Sequence, residues 1–559
     1  MFFNFSQFFA NQGPNAFYEE FLKTEGLSLE QILDHDDTVT EIKKANAGLL
    51  ALLQPQTARL IDYITKEPAA EAGEKEGHRY PFIANEILNS EAFLTELGKD
   101  SAMLPLIFQY LQSESPLNLT LAGYCVSLSQ RMLERQGFKV LEFLLISESN
   151  YPALLLRHIE NRVIAELVVS VLMINSHFPA RERLLYSVAM AYEQGMKRER
   201  TVNVSFTLQE VIRRSADIGE WKSLISIFLF RETMEKLAQA VTWTETGDQV
   251  ATVLTAFMSH SAFDEVVTFF TEVCEAGFRT CDALRPIAEA ALTAFTAQSD
   301  YEEQPTTYGE SVKPLGQHRL ALIHLVNTCM RAVGSELDGL LVDHGYIGLC
   351  TKLFVAFPWH SGLHQAYEAL VRTVVEDGSQ ILKSELMDKA DLIAVLSEAA
   401  KKAELPEKHR KGYLGHVTRI ANNLLSASTT SPYFHQLLDT EPWISFATAY
   451  LIPQNRTETA KYLETSRKES ELSLGEVQTI EDLVAAEEKE EADNEDGFEF
   501  QVTQNCLTPE QLDARNLFNF GSEEVSSDPE VESAQGSDIY NSFNFWKMPI
   551  EDRELGELE

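Results

Sequence analysis

The sequence is poor in basic residues. Its 559 residues include 46 Lys and Arg against 85 Asp and Glu, which gives a formal net charge of −39. Nucleic acids and anionic membrane surfaces are polyanions, and they repel a chain of this charge. The composition therefore excludes both as main partners, and it favours neutral or basic protein surfaces.

Paired cysteines and long apolar runs are also missing. The six cysteines form no Cys-x-x-Cys pair, and most of them lie within apolar runs, as is usual for reduced, buried thiols. The longest apolar run, residues 163–174, is shorter than the roughly 20 residues that cross a bilayer, and Glu166 interrupts it. We therefore expect no disulfides, no membrane span and a cytoplasmic location. The nucleus is left open, because the sequence contains no strong basic import cluster.

Catalytic motifs are lacking as well. Residues 410–425, RKGYLGHVTRIANNLL, carry two glycines beside basic residues but match neither G-x-x-x-x-G-K-[ST] nor G-x-G-x-x-G. His360 and His364 have a spacing that suits a metal, yet no third ligand accompanies them. No G-x-S-x-G nucleophile motif occurs. The sequence thus predicts a protein that is not an enzyme, with no catalytic residues, no metal and no cofactor.

Apolar residues recur at spacings of three and four from about residue 27 to about residue 451, which is the pattern of amphipathic helices. One such face is formed by Leu322, Leu325, Val326, Cys329 and Val333. Many helices with short connections predict an all-α fold, an α-solenoid of HEAT-like or armadillo-like helical repeats. The repeats are too degenerate to fix a period.

We divide the chain into an N-terminal aromatic segment (1–26), a helical-repeat domain (27–453) with a mobile loop at 298–316, and an acidic tail (454–559). Residues 464–559 contain 27 Asp and Glu against 6 Lys and Arg, a net charge of −21, which predicts disorder. Short aromatic stretches in the tail are either docking segments or scattered aromatics. Ser522, Ser526 and Ser527 are flanked by acids and are candidates for phosphorylation.

After its first residues, the stretch 410–425 has the pattern of a helix. Val417, Ile420, Ala421 and Leu424 form an apolar stripe. His416, Arg419 and Asn423 share another face, because they lie at i, i+3 and i+7. Two interpretations stay open: these polar residues brace adjacent helices, or they form a patch that faces a partner.

Several stretches, in order along the chain, resemble the SAPS-domain family, the regulatory subunits of protein phosphatase type 6 and its fungal counterpart. They are LSLEQILDHDDTVTEIKKANAGLLALLQ (27–54), YPFIANEIL (80–88), SPLNLTLAGYCVSLSQRML (115–133), FTLQEVIRRS (206–215), PLGQHRLALIHLV (314–326) and KGYLGHVTRIANNLL (411–425). The resemblance implies a non-catalytic scaffold that binds a phosphatase catalytic subunit and directs its substrate choice. In some lineages an ankyrin-repeat subunit joins the complex.

The candidate partner-binding residues lie in the last two of these stretches. They are His318, Arg319, Tyr413, His416, Arg419 and Asn423. The helical pattern alone also fits another class of protein, a helical-repeat transport or trafficking adaptor that binds basic cargo through its acidic surface. Binding of that kind weakens steeply with salt, whereas a packed scaffold interface does not.

Overall fold

The computed structural model describes residues 16–463, apart from 70–72, 99–101, 115, 147–149, 219, 276, 298–300, 306–310 and 402–410. The acidic tail from residue 464 onward lies outside the described residues, together with its aromatic stretches and its predicted disorder. The phosphorylation candidates Ser522, Ser526 and Ser527 lie outside them as well.

The described residues form the all-α fold that the sequence predicts. The helices of the first half are α1 (Ala16–Leu22), α2 (Leu29–Asp34), α3 (Thr38–Lys43), α4 (Ala47–Leu53), α5 (Thr57–Thr65), α6 (Tyr80–Leu88), α7 (Glu91–Leu97), α8 (Met103–Phe108), α9 (Leu119–Leu141), α10 (Tyr151–Arg157), α11 (Arg162–Met173), α12 (Phe178–Ala189), α13 (Arg198–Arg214) and α14 (Trp221–Ile225). Those of the second half are α15 (Arg231–Val241), α16 (Gly247–Met258), α17 (Phe263–Phe269), α18 (Thr280–Ala297), α19 (Gln317–Val333), α20 (Asp338–Asp343), α21 (Tyr346–Ala356), α22 (Ser361–Glu376), α23 (Gln380–Ser384), α24 (Leu392–Lys401), α25 (Leu414–Thr430), α26 (Pro432–Leu438), α27 (Glu441–Phe446) and α28 (Ile452–Leu463).

Short turns of other helix types extend several of these helices. The 3₁₀ turns are Gln54–Gln56, Gln109–Gln112, Ser215–Asp217, Ser226–Leu229 and Gly334–Leu337, and the π turns are Lys75–Arg79, Glu142–Ile146, Phe270–Cys274, Glu385–Lys389 and Ala447–Leu451. A pattern of period 3.6 passes through such turns without a break, so sequence periodicity predicts fewer and longer helices than the structure has.

Helix starts follow from short polar side chains and from prolines. Ser28 and Gln31 form a capping box at α2, in which each side chain bonds the other residue's backbone N–H. Asn118 caps α9 by accepting from two backbone N–H groups. Pro152 and Pro179 stand in the first turns of α10 and α12, where the missing N–H costs nothing.

The helices stack in two rows. Row A consists of α5, α9, α11, α13, α16, α19, α22 and α25, and each member packs against the next. Row B contains two runs that stack in the same way, α12–α15–α18 and α21–α24–α27. Two stacked rows of helices are the architecture of a helical-repeat solenoid, so the predicted fold class is confirmed.

The core lies where the predicted apolar faces meet. Leu322, Leu325, Val326 and Cys329 are buried, as their spacing predicts, and Val333 is half-buried. Burial raises the pKa of the Cys329 thiol to about 12, so it stays protonated and unreactive. The other described cysteines with assigned burial, Cys125, Cys281 and Cys350, are also buried and free.

The predicted loop at 298–316 contains a minimal hairpin. β1 (Gln304–Pro305) pairs antiparallel with β2 (Ser311–Val312). Strands of two residues are too short to produce an alternating pattern, so the sequence gives no sign of them. Among the helices of the described ranges, none is long and apolar enough to cross a membrane.

Candidate partner-binding surface

Gly412, which precedes α25, permits a close backbone contact. The backbone N–H of Gly412 donates to the carbonyl oxygen of Pro358 at 2.9 Å. A Cβ at position 412 would lie 3.0 Å from that oxygen, so glycine permits this close approach. Gly412 therefore marks a helix start in which backbone meets backbone, whereas Gly415 lies in the first turn of α25, where a Cβ would meet nothing within 4 Å.

The apolar stripe and the polar face of α25 are both present. Val417, Ile420, Ala421 and Leu424 are buried, which confirms the predicted stripe. The polar side chains His416, Arg419 and Asn423 all contact α22, the preceding helix of row A. Their partners there are two acids, Glu368 and Glu376. We call these five residues the polar seam.

Glu368 joins the two helices through a single oxygen. Its Oε2 lies 2.6 Å from Nδ1 of His416 and 2.9 Å from Nε of Arg419. Nη2 of Arg419 also lies 2.9 Å from Nδ1 of His416. When Nδ1 carries the proton, it donates to Glu368 and the carboxylate holds both basic side chains. The side chain of His416 is only 13% exposed, whereas that of Arg419 is 59% exposed.

The seam continues along both helices. Nδ2 of Asn423 donates to Oε1 of Glu376 at 3.2 Å. Next to it, Asn422 and Asn455 exchange side-chain hydrogen bonds of 3.1 and 2.9 Å, which tie α25 to α28. The contacting pairs are Glu368 with His416 and Glu376 with Asn423. Since the residue numbers increase in the same direction on both helices, α22 and α25 run parallel. The seam thus fixes the register between neighbouring repeats.

His364 lies behind the seam and is fully buried. Its Nε2 lies 2.8 Å from the carbonyl oxygen of Phe357, and its Nδ1 has no hydrogen-bond partner. Burial lowers the pKa of His364 to about 4, although the bond to Phe357 opposes the shift and the nearby His416 adds to it. His364 is therefore uncharged at neutral pH.

The histidine pair with metal-like spacing serves the start of α22. Nδ1 of His360 accepts from the backbone N–H of Leu363 at 3.1 Å and caps the helix. Nε2 of His364 bonds the carbonyl oxygen of Phe357. Over the described ranges, no three His, Cys, Asp or Glu side chains are grouped in a way that would hold a metal ion.

Three of the six candidate residues lie in the interior. Tyr413 is buried, with its ring 5.5 Å from that of Phe354. His318 and Arg319, on α19, are buried as well, and Nε2 of His318 lies 3.0 Å from the carbonyl oxygen of Val241. Burial lowers the pKa of His318. The structure therefore gathers Tyr413, His416, Arg419 and Asn423 at one junction and leaves His318 and Arg319 elsewhere.

The sequence interpretation missed the acidic half of the seam. Glu368 and Glu376 are 48 and 47 residues before their partners His416 and Asn423. Finding them requires the repeat period, and the starts of row A helices are unevenly spaced at residues 162, 198, 247, 317, 361 and 414. The sequence contains one signal of the seam. Glu368 and Glu376 are eight residues apart, and their partners His416 and Asn423 in the next repeat are seven apart.

Comparisons with known proteins match this region and, for several relatives, most of the chain. The family model described as SIT4 phosphatase-associated protein matches residues 330–460, which include the whole seam. Serine/threonine-protein phosphatase 6 regulatory subunit 3 of Gallus gallus is 24% identical in an alignment of 505 residues that covers 79% of this chain and 58% of that protein.

Two further relatives agree. Serine/threonine-protein phosphatase 6 regulatory subunit 1 of Mus musculus is 25% identical over 511 residues, covering 79% of this chain and 59% of its own length. Extragenic suppressor of kinetochore protein 1 of Schizosaccharomyces pombe is 28% identical over 211 residues, covering 35% of this chain and 24% of its own length. The chain thus spans less than two thirds of the length of these relatives. Together with the helical-repeat fold and the ordered sequence stretches, these matches confirm the resemblance to the SAPS-domain family.

Proposed function

We propose that this chain is a non-catalytic regulatory subunit that binds a type-6-like serine/threonine phosphatase catalytic subunit and directs its substrate choice. One observation carries the proposal: relatives named as phosphatase 6 regulatory subunits match across 79% of the chain. A match of that extent runs through most of the helical array, so it concerns the scaffold as a whole. An ankyrin-repeat subunit is a further proposed partner, and the cytoplasm is the proposed location.

The mechanism that fits this chain is binding. A row of stacked helices presents a long surface whose shape is fixed by its repeat-to-repeat contacts, such as the polar seam. A catalytic subunit held on that surface stabilises the array, because a partner that binds only the folded state shifts folding by mass action. Substrate choice then follows from what else the surface and the acidic tail attract or repel.

We place part of the catalytic-subunit contact on the solvent side of the polar seam. Arg419 is an exposed member of the seam, and its carboxylate partner Glu368 is fixed by His416 from below. A charged group held in one position offers a partner a defined contact, since less side-chain entropy is lost on binding. The buried candidates His318, Arg319 and Tyr413 would act by keeping α19 and α25 in place.

The test is affinity purification of the full chain from its native cells at about 0.15 M and about 1 M NaCl, followed by mass spectrometry of the bound proteins. We expect a type-6-like catalytic subunit at both salt concentrations. An Arg419→Glu variant should retain less of it, and an Arg285→Glu variant should retain the normal amount, because Arg285 is exposed on α18 in row B. Basic cargo that binds only at the lower salt concentration, without a phosphatase, would support the adaptor instead.

A further inference from the structure

The turn between α10 and α11, residues 158–161, contains two buried polar atoms that lack a hydrogen-bond partner. The backbone N–H of Asn161 donates to the carbonyl oxygen of His158 at 2.9 Å and closes the turn. Nδ1 of His158 and Nδ2 of Asn161 are buried, and neither has a partner in the part of the chain that the structure describes. Burial of such an atom without a partner is costly, so the pair requires an explanation.

Each of the two atoms has a defined hydrogen-bonding role. Nε2 of His158 lies 3.0 Å from the carbonyl oxygen of Leu111, and its contact with Nε of Arg157 is longer, at 3.4 Å. A carbonyl only accepts, so Nε2 carries the proton; burial lowers the pKa of His158, which leaves Nδ1 as an acceptor. Oδ1 of Asn161 accepts from the backbone N–H of Val163 and caps α11, so Nδ2 is a donor.

Neighbouring elements hold this turn on both sides. Nη2 of Arg157 donates to the carbonyl oxygen of Ser113 at 2.8 Å. On the other side, Nδ2 of Asn203 in α13 donates to the carbonyl oxygen of Glu160 at 2.8 Å. A site that is fixed before binding loses little conformational entropy when it is occupied.

His158 and Asn161 line one surface cavity of about 230 Å³. The cavity contacts His158 but not Leu111, so the ring meets it on the side away from Nε2, where Nδ1 lies. Its apolar wall is formed by Pro116, Leu117 and Leu119, and its charged residues are Glu160, Lys197 and Glu199.

The cavity is nearly neutral and opens into a longer groove. Nζ of Lys197 lies 3.7 Å from the carboxylate of Glu160, which leaves one acid in excess. Pro116 and Leu117 also line a second cavity, of about 500 Å³, at the start of α9. The two cavities therefore meet at these residues and offer room for an extended chain.

We propose that this groove binds an extended, uncharged peptide segment of a partner protein. One residue of the segment donates its N–H to Nδ1 of His158 and accepts at its C=O from Nδ2 of Asn161. An extended residue presents both groups on the same side of its chain, as in a hydrogen-bonded pair of strands. A neighbouring apolar side chain packs against Leu117 and Leu119. The side chains of Leu119 and Lys197 are 73% and 76% exposed, and they rotate aside to admit the segment.

The two unpartnered atoms select a peptide unit over a charged ligand. An anion would face the lone pair of Nδ1, and a cation would face the N–H groups of Asn161, so each would meet one unfavourable partner. A peptide unit supplies one donor and one acceptor and satisfies both atoms. The proposal concerns a surface away from the polar seam and does not depend on the proposed function.

Selection of peptides on the purified full chain tests the proposal. Random peptides displayed on phage are bound to the wild type, and those that also bind Asn161→Asp are removed. Asp caps a helix as well as Asn does, but it replaces the donor with an acceptor. We expect uncharged peptides that carry an apolar side chain, with affinity for Asn161→Asp lower by about 10-fold or more.

The control for the added charge is Asn175→Asp, at an exposed position, which should bind these peptides as the wild type does. Circular dichroism checks that each variant is folded, and Asn161→Ser, which also retains the cap, replaces Asn161→Asp if that variant unfolds.

Two further measurements on the selected peptides test the geometry. Methylation of each backbone nitrogen in turn removes one donor at a time, and methylation at a single position should weaken binding by about 10-fold, because Nδ1 of His158 then stays unpaired. A bound peptide should also slow hydrogen exchange in residues 157–163. The proposal is overturned if no selected peptide depends on Asn161, which would leave the cavity to water alone, or if the peptides are strongly charged. It is equally overturned if methylation has no effect, or if the slowed exchange lies elsewhere.

Discussion

Oε2 of Glu368 lies 2.6 Å from Nδ1 of His416, across the boundary between two successive repeats. The pair is held on one side by the buried ring of His364, 5.5 Å from that of His416, and on the other by the exposed Arg419. A carboxylate with two basic partners in a half-buried position is oriented, because each partner restricts the others. This contact links the packing of the solenoid to the surface that we propose for partner binding.

Glu368→Gln should weaken this junction. The amide keeps the size of the side chain but loses the charge, and a bond between a charged group and a partly buried histidine is worth about 1–2 kcal/mol. The exposed Arg419 adds little, since solvent and salt screen it. We expect a lower midpoint of urea unfolding and faster hydrogen exchange in α22 and α25. Glu289→Gln, at an exposed position of α18, is the control and should change stability by less than about 0.5 kcal/mol. Equal effects of the two substitutions would contradict the role of Glu368.

Gly247→Ala should be strongly destabilising. A Cβ at this position would overlap the carbonyl oxygen of Val241 and lie 2.5 Å from Nε2 of His318, so it would break the bond between them. Overpacking with the loss of a buried hydrogen bond costs about 2–4 kcal/mol.

Gly348→Ala is the comparison for that variant. Gly348 lies within α21, and a Cβ there meets nothing within 4 Å. Alanine is the better helix former by up to about 1 kcal/mol, so this variant should be neutral or more stable. Thermal unfolding of both variants compares their stabilities. A similar loss of stability at the two glycines would contradict the contact between His318 and the carbonyl oxygen of Val241.

His364 should make stability depend on pH. In the unfolded chain its pKa is near the ordinary 6.5, and in the folded chain burial lowers the pKa to about 4. Between these values the unfolded state binds a proton that the folded state does not, so the free energy of unfolding falls as the pH is lowered from about 6.5 to about 4. One such proton contributes about 1.4 kcal/mol per pH unit.

His364→Gln should reduce that slope, measured by urea unfolding at a series of pH values. At pH 8 the histidine is neutral in both states, and Gln retains a donor for the carbonyl of Phe357, so the two proteins should differ little there. A slope that does not change on substitution would mean that His364 is protonated in the folded chain.

The sequence predicts the fold class and the faces of individual helices well. The stripe of Val417, Ile420, Ala421 and Leu424 and the start of α25 after Gly412 follow from local rules, and the structure confirms them. Local rules do not say which repeat packs on which. His318 shows the limit, because its partner Val241 is 77 residues away, and a polar residue in a helical pattern is otherwise expected to be exposed.

The same limit applies to the candidate surface. His416, Arg419 and Asn423 share a face by their spacing alone, but their partners Glu368 and Glu376 belong to the preceding repeat. Both interpretations of that face retain support. The residues brace adjacent helices, and Arg419 keeps more than half of its side chain exposed for the partner contact that we propose.

The central claim is that the helical array itself binds a phosphatase catalytic subunit. The most direct measurement is the purification of the full chain at about 1 M NaCl, with the bound catalytic subunit quantified by mass spectrometry for the wild type, Arg419→Glu and Arg285→Glu. The account predicts a type-6-like catalytic subunit on the wild type and on Arg285→Glu, and less of it on Arg419→Glu. A wild-type chain that retains no phosphatase at this salt concentration would contradict it.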